Sequence, residues 1–268
     1  MNKLAKIRTL WIGSDLSRLE YICLNSFIKQ GHEVYLYTYE DVKNIPPLVK
    51  VVDANKIISK EKIFTYGGIT GKGKGSYAGF ANYFRYKMLS MYENTYWVDA
   101  DVICLKPFVI NSSVDICSES GSFINNAVVG VRDANHPLFN ELIKYCENPF
   151  EIKIWDDYKQ IIKKVYGRFI GGSSFEYLPW GTTGPKALTG FAKQFGIFPC
   201  KTNTYYPIYS NSWEDIFFAT NISLDSLSES KGLHLWNEKL RREGIDKNTV
   251  FDRDSIYEKL ISRFDLEN

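Results

Sequence analysis

The chain has 268 residues, 44% of them apolar and 15% aromatic, which is enough for one large α/β domain or two small ones around a packed core. Its 33 basic and 31 acidic residues leave a net charge of +2, which gives no electrostatic footprint for nucleic acid, so any bound anion must be met by local groups. No stretch approaches the roughly 18 uninterrupted apolar residues of a membrane span, and the apolar run before Gly13 is too short for a signal segment. The cysteines, Cys23, Cys104, Cys117, Cys146 and Cys200, are widely spaced, mostly among apolar neighbours and without a C-x-x-C pair. They read as reduced core residues of a cytoplasmic protein.

In chain order, "IRTLWIG" (7 to 13) reads as a strand ending at a glycine. "SDLSRLEYICLNSFIKQG" follows as a helix with a Ser14 or Asp15 cap, Leu16, Leu19, Cys23 and Phe27 at helical spacing, and Gly31 as its stop. "HEVYLYTY" is the second strand. Strand, helix, strand is the opening of a doubly wound sheet, whose ligands bind at the carboxyl ends of the strands, where Gly13 falls. "VKVVDA" (49 to 54) reads as a third strand, with a short helix around "SKEKIF". "GGITGKGKGSYAG" (67 to 79) holds six glycines and two lysines but fits neither the P-loop nor G-x-G-x-x-G after a strand. It reads as a surface loop, with a lid over a substrate as the functional alternative. "FANYFRYKMLSMYE" (80 to 93) is helical, with Phe80, Phe84, Met88 and Met91 on one stripe and Asn82, Arg85 and Leu89 opposite. A helix apolar nearly all round is buried, so Arg85 requires an anionic partner.

"TYWVDADVICL" (95 to 105) has the β-branched and aromatic bias of a strand covered on both faces, interrupted by Asp99 and Asp101. On one extended strand, residues two apart share a side, so two carboxylates would repel each other there and lose hydration. A hard divalent cation resolves that conflict; the plainer alternative is a strand end at which both acids reach water or cap a helix. "SFINNAVVGV" reads as another central strand with Asn125 and Asn126 at its mouth, and "HPLFNELIKYCE" and "EIKIWDDYKQIIKKVY" as helices. In "PWGTTGPKALTGFAKQFG" (179 to 196), two glycines lead to Pro185 in a helix's first turn, with Trp180 as an apolar plate beside a helix N-terminus that favours an anion. An ordinary helix start with a core tryptophan is the other reading. In "KGLHLWNEKLRR" (231 to 242), an extended backbone would put His234 and Trp236 on one side; a hydrogen-bonded bystander is the plain reading of the histidine, and a metal ligand or sugar contact the functional alternative. "FDRDSIYEKLISRF" is an amphipathic helix that packs on its own domain, with membrane docking as the alternative.

The blocks "LWIGSDLSRLE", "FANYFRYKML", "YWVDADVICLKPF", "WGTTGP" and "LHLWNE", in this order, resemble bacterial members of the glycosyltransferases named for their DXD sugar-binding motif, the group with α-1,4-galactosyltransferase-like and initiating α-1,6-mannosyltransferase-like enzymes. The resemblance runs from about residue 7 to 242. It implies a single GT-A (Rossmann-like) α/β domain over 1–268 with a mixed, mainly parallel central sheet flanked by helices. Residues 1–131 would be the nucleotide-sugar half, 132–242 the acceptor-side half and 243–268 a C-terminal helix. It further implies Mn²⁺ or Mg²⁺, a UDP-hexose donor and a glycan or glycolipid acceptor. The reaction would proceed with retention in surface polysaccharide or lipooligosaccharide synthesis, with peripheral contact to the inner membrane surface. By the same resemblance Asp101 would sit on the metal, with Asp99 bridging metal and donor and Ala100 between them. Arg85 would meet the donor sugar or phosphates, and Trp11 and Gly13 the base. Trp180, Gly181, Gly184 and Pro185 would shape the donor and acceptor pocket, with His234 and Trp236 closing the metal and diphosphate site. Asn82 departs from the family's usual aspartate, and Asn94 and Thr95 replace a usual glycine pair. Asn82 and Asn126 would orient the sugar. Two rivals are a Mg²⁺-dependent haloacid-dehalogenase-type phosphatase, which needs a later acidic pair after another strand whereas Asp156 and Asp157 lie in a helical segment, and a non-catalytic metal-dependent carbohydrate-binding module.

Overall fold

The computed structural model describes residues 3–68 and 73–264, so part of the glycine-rich segment and the last residues of the expected C-terminal helix lie outside the described residues. The chain opens with β1 (Lys6–Trp11), α1 (Arg18–Lys29), β2 (Val34–Thr38) and β3 (Lys50–Asp53), then α2 (Ala78–Met91), β4 (Thr95–Val98) and β5 (Val102–Cys104). β6 (Val114–Ser120) and β7 (Phe123–Val131) form a hairpin, followed by α3 (Pro137–Glu147), α4 (Tyr158–Phe169) and α5 (Pro185–Gln194). The short α6 (Glu214–Phe217), β8 (Gly232–His234), α7 (Asn237–Arg242) and α8 (Ile256–Phe264) complete it.

The fold is mixed α/β, with a central sheet of order β3-β2-β1-β4-β7-β6. β3, β2, β1 and β4 are mutually parallel, and β7 adds antiparallel to β4 and to β6. Alternation along β4 decides which side each residue feeds. Tyr96 and Val98 enter the core under α1 and α8, and Trp97 enters the opposite core with α2, α3 and α5. Gly130 lies directly across from Tyr96, and a Cβ there would come within 2.4 Å of the tyrosine ring.

Several sequence expectations are corrected. α1 is capped by Ser17 rather than Ser14 or Asp15: Ser17 Oγ accepts from Leu19 N, and Ser17 N donates to Glu20 Oε2 at 3.0 Å, a complete capping box. Asp15 instead bridges the Lys43 segment, because the chain leaving β1 runs extended before it turns. "TYWVDADVICL" is not one strand. Val102 N donates back to Asp99 O at 3.2 Å, which makes Asp99–Asp101 a turn between β4 and β5, and among the described residues β5 pairs with β8 in a separate two-stranded sheet. The helix expected over 151 to 166 begins only at Tyr158, capped by Asp157. Around "SKEKIF" there is a single 3-10 turn, Lys60–Lys62. Met91, at the end of the α2 stripe, is exposed. Cys117 and Cys200 are not free thiols but form a disulfide, because Cys200 N donates to Ile116 O at 2.7 Å and so joins the edge of β6 across 83 residues. Cys23, Cys104 and Cys146 are free and buried.

Asn94 has φ 42°, in the left-handed region that asparagine and glycine tolerate best. α8 packs on its own domain: Glu258 takes both Arg18 amines, at 2.6 and 2.7 Å, and Asn25 Nδ2 donates to Phe264 O.

Candidate functional site

The chain builds the sheet outward from β1 to β3 and then returns to β4 on the other side of β1. At that switch point the carboxyl ends of β1 and β4 diverge, which is where open α/β sheets bind ligands. A cleft of 680 Å³ opens there. Thr9 to Ile12, Trp97 and Asp99 to Asp101 line it from the strand ends, Asn82 and Arg85 from α2, and Asn125 and Asn126 from β7. Trp180, Gly181 and Pro185 close one side and the junction of β8 with α7 the other.

Asp99, Asp101 and His234 each offer one ligand atom, and these atoms lie within 4.8 Å of one another. The turn brings the acids together, and the pairing of β5 with β8 brings the histidine, since Val102 stands opposite His234. Asp101 Oδ2 lies 3.2 Å from His234 Nε2 and accepts from Asn237 N at 3.0 Å. Burial would depress the imidazole, but the adjacent Asp101 carboxylate prevails and raises the His234 pKa. Burial would likewise raise Asp101, yet His234 and the Asn237 amide hold it below the usual carboxylate value. His234 Nδ1 is buried without a hydrogen-bond partner. Two carboxylates and an imidazole with a spare nitrogen could hold a divalent cation.

Arg85 is only 3% exposed, and Asp99 is the anionic partner its burial requires. Its Nη2 donates to Asp99 Oδ1 at 2.6 Å, its Nη1 to Asn82 Oδ1 at 2.7 Å, and its guanidinium lies 4.7 Å from the Trp97 ring centroid. Trp97 Nε1 donates to the same Asp99 oxygen at 2.6 Å. Arginine only donates, so Asn82 must turn its oxygen to Arg85 and to Asn126 Nδ2, 2.8 Å away, and its nitrogen to Thr183 Oγ1. Gly184 makes room for this, because a Cβ there would stand 2.9 Å from Asn82 Nδ2.

All the sequence-named site residues line the cleft except Gly13 and Gly184; the latter backs Asn82, and Gly13 lies beside Trp11 Nε1. Trp236 is not part of an extended run: its φ of 55° ends β8 and sets its ring 4.2 Å from the His234 ring. Such strain in a non-glycine residue clusters at functional sites. The described part of the glycine-rich segment adjoins the cleft, with Ser76 and Tyr77 lining it and Gly73 held against Trp180, where a Cβ would come within 1.9 Å of the indole.

Sequence reading missed Glu119, which lines the cleft and accepts from Asn125 Nδ2 at 2.9 Å, and also Lys239 and Arg242 at the α7 rim. No local signal marks Glu119, since its position depends on the β6–β7 hairpin. Asp156 and Asp157, the acids a phosphatase would need, lie outside the cleft lining: Asp156 is sealed against Lys164 and Asp157 caps α4.

No family profile matches the chain, and no curated protein matches it. Among solved structures it is similar to PaToxG glycosyltransferase, with 13% identity, 96% of this chain and 84% of that chain covered, and a TM-score of 0.44. It is also similar to a transferase at 10% identity, covering 64% of this chain and 86% of that one with a TM-score of 0.38, and to a cysteine-to-serine double mutant of a transferase at 12% identity, 67% and 88% coverage and a TM-score of 0.37.

Proposed function

We propose that the protein is a metal-dependent glycosyltransferase that moves a hexose from a uridine diphosphate sugar to a glycan or glycolipid acceptor, with retention. One observation carries the reading: two carboxylates and an imidazole converge at the switch point of the sheet, beside a buried guanidinium fixed on one of the carboxylates. Asp99, Asp101 and His234 would hold the cation. When bound, it supplies Lewis-acid stabilisation of the charge that develops on a departing diphosphate. Arg85 adds a second positive charge to that end of the cleft, and because Asp99, Asn82 and the Trp97 ring already hold it, no reorganisation is needed as charge develops. Trp97 keeps Asp99 Oδ1 turned inward. Trp11 offers an aromatic surface for a base, and Lys239 and Arg242 add cationic groups at the rim. Asn82 and Asn126, locked to each other, orient sugar hydroxyls.

Glu119 favours a second reading of the stereochemistry. A cleft carboxylate held by Asn125 suits a general base that takes the acceptor hydroxyl proton, which would make the enzyme inverting. Proton NMR of the first product from an α-linked donor separates the two: an α linkage keeps the retaining reading, and a β linkage abolished by Glu119→Gln establishes the inverting one.

The main reading is tested by thermal denaturation with nucleotides and sugar nucleotides, with and without Mn²⁺. Binding raises stability by mass action, so UDP with Mn²⁺ is expected to raise the Tm of the wild type but not of Asp101→Ala. A wild type indifferent to every nucleotide and sugar nucleotide in the presence of Mn²⁺ would sink the proposal.

A further inference from the structure

α4 is packed inside out. Its buried residues are Gln160, Lys164 and Gly167. Lys164 Nζ donates to Tyr145 Oη at 2.6 Å and to Glu151 O at 2.9 Å and pairs with Asp156, while Gly167 lets the Phe150 ring approach to where a Cβ would be 2.4 Å away. Tyr158, Ile162, Val165, Tyr166 and Phe169 are all exposed, Tyr158 by 69% and Phe169 by 76%. At about 100° per residue these five fall within an arc of roughly 100° opposite the buried side. Ile154 just before the helix, at 90%, and Ile170 just after it are exposed as well. A soluble surface rarely leaves a contiguous apolar face of this kind uncovered.

Charge narrows what covers it. Lys159 and Lys163 flank one edge of the stripe and Arg168 the other, all on the solvent side. Of the acids before and at the start of α4, Asp156 is sealed against Lys164, Asp157 caps the helix and faces Lys186, and Glu151 pairs with Lys153, while Glu176 is exposed on the turn that packs against the helix. A second copy of this face would set like charges against like. An apolar stripe edged by cations matches a surface that is apolar below and negative above. We infer that the outer face of α4 is a docking surface for an anionic phospholipid bilayer, on which the helix lies flat. With 12 residues it is about 18 Å long, too short to cross a hydrocarbon core of about 30 Å. A continuous run of contacts joins this surface to the cleft: Tyr177 packs on Gly167, and Tyr177 and Trp180 share a small apolar cluster with Tyr66, Phe150 and Leu178.

The test is co-sedimentation of the full chain with vesicles of phosphatidylcholine alone and of equal parts phosphatidylcholine and phosphatidylglycerol. Wild type is expected to pellet with the mixed vesicles, weakly with the neutral ones, and less as salt rises. Ile162→Asp/Phe169→Asp should lower the bound fraction roughly tenfold, with an unchanged melting curve, because these side chains face solvent. Lys159→Glu/Arg168→Glu should weaken binding to anionic vesicles alone. Wild type remaining in the supernatant with anionic vesicles overturns the inference, as does undiminished binding by either double variant. So does a dimer that the Ile162 and Phe169 changes dissociate while no vesicle is bound, which would assign the face to a second copy.

Discussion

α2 and α4 each bury one cation against one aspartate, with different consequences. On α2, Arg85 is sealed but its partner Asp99 keeps 32% of its side chain open to the cleft. On α4, Lys164 and Asp156 are sealed together, at 0% and 2%. Burial depresses the Lys164 pKa, and Asp156 partly restores it. A pair with one open end can meet a ligand, whereas a closed pair can only fix the helix. Closing it with a lysine on the inner side also explains why the apolar residues of α4 are left outside.

The sharpest way to break the comparison is to remove the lysine. Lys164→Met leaves Asp156 buried and unpaired and should cost about 3–5 kcal/mol in urea unfolding, most of it recovered in Lys164→Met/Asp156→Leu. A loss below about 1 kcal/mol would mean that the pair is not sealed as described. Next comes Asp101→Ala, expected to lower sugar transfer by roughly 10²–10³ without a comparable loss of stability; retained turnover would remove the metal cluster from the mechanism. Arg85→Met should cost less stability than Lys164→Met, about 1–3 kcal/mol, because Asp99 keeps water and the Trp97 N–H, while transfer falls steeply. Equal stability losses for the two cations would erase the distinction between an open and a closed pair.

The smallest effect belongs to Arg18–Glu258, a partly exposed pair that clamps α8. Burial would raise the Glu258 carboxyl, but Arg18 and the Phe251 amide hold its pKa below the ordinary 4.5. A carboxyl depressed in the folded state contributes stability above its unfolded pKa and loses it as pH falls through the folded one. Glu258→Gln should therefore be less stable than wild type by about 1 kcal/mol at neutral pH, with the gap closing below about pH 4.5. A gap that persists in acid would place the contribution of Glu258 in packing rather than charge.

The legible parts of the sequence were those set by local periodicity. The β1-α1-β2 unit, the largely apolar α2 with its arginine, and the Pro185 helix start all follow from spacing within one element, and the structure has each of them. Three features were not legible. The cap moved to Ser17 because the chain leaving β1 runs on before turning. α4 carries a correct amphipathic period, but periodicity cannot say which face turns inward when a buried lysine can bond on the polar side. Cys117 and Cys200 look like solitary core thiols until an edge strand brings them together.

By itself the sequence determined that two aspartates interrupt an apolar run, that an arginine nearby must be buried with an anion, and that a histidine lies two residues from a tryptophan near the end. Those are matters of residue type and short-range order. Tertiary structure alone decided that the aspartates form a turn at the switch point and that pairing of β5 with β8 brings His234 to Asp101. It also placed Glu119 across the same cleft. The physical reason is that strand pairing joins residues remote in the chain through backbone hydrogen bonds, whose partners no local pattern of side chains encodes.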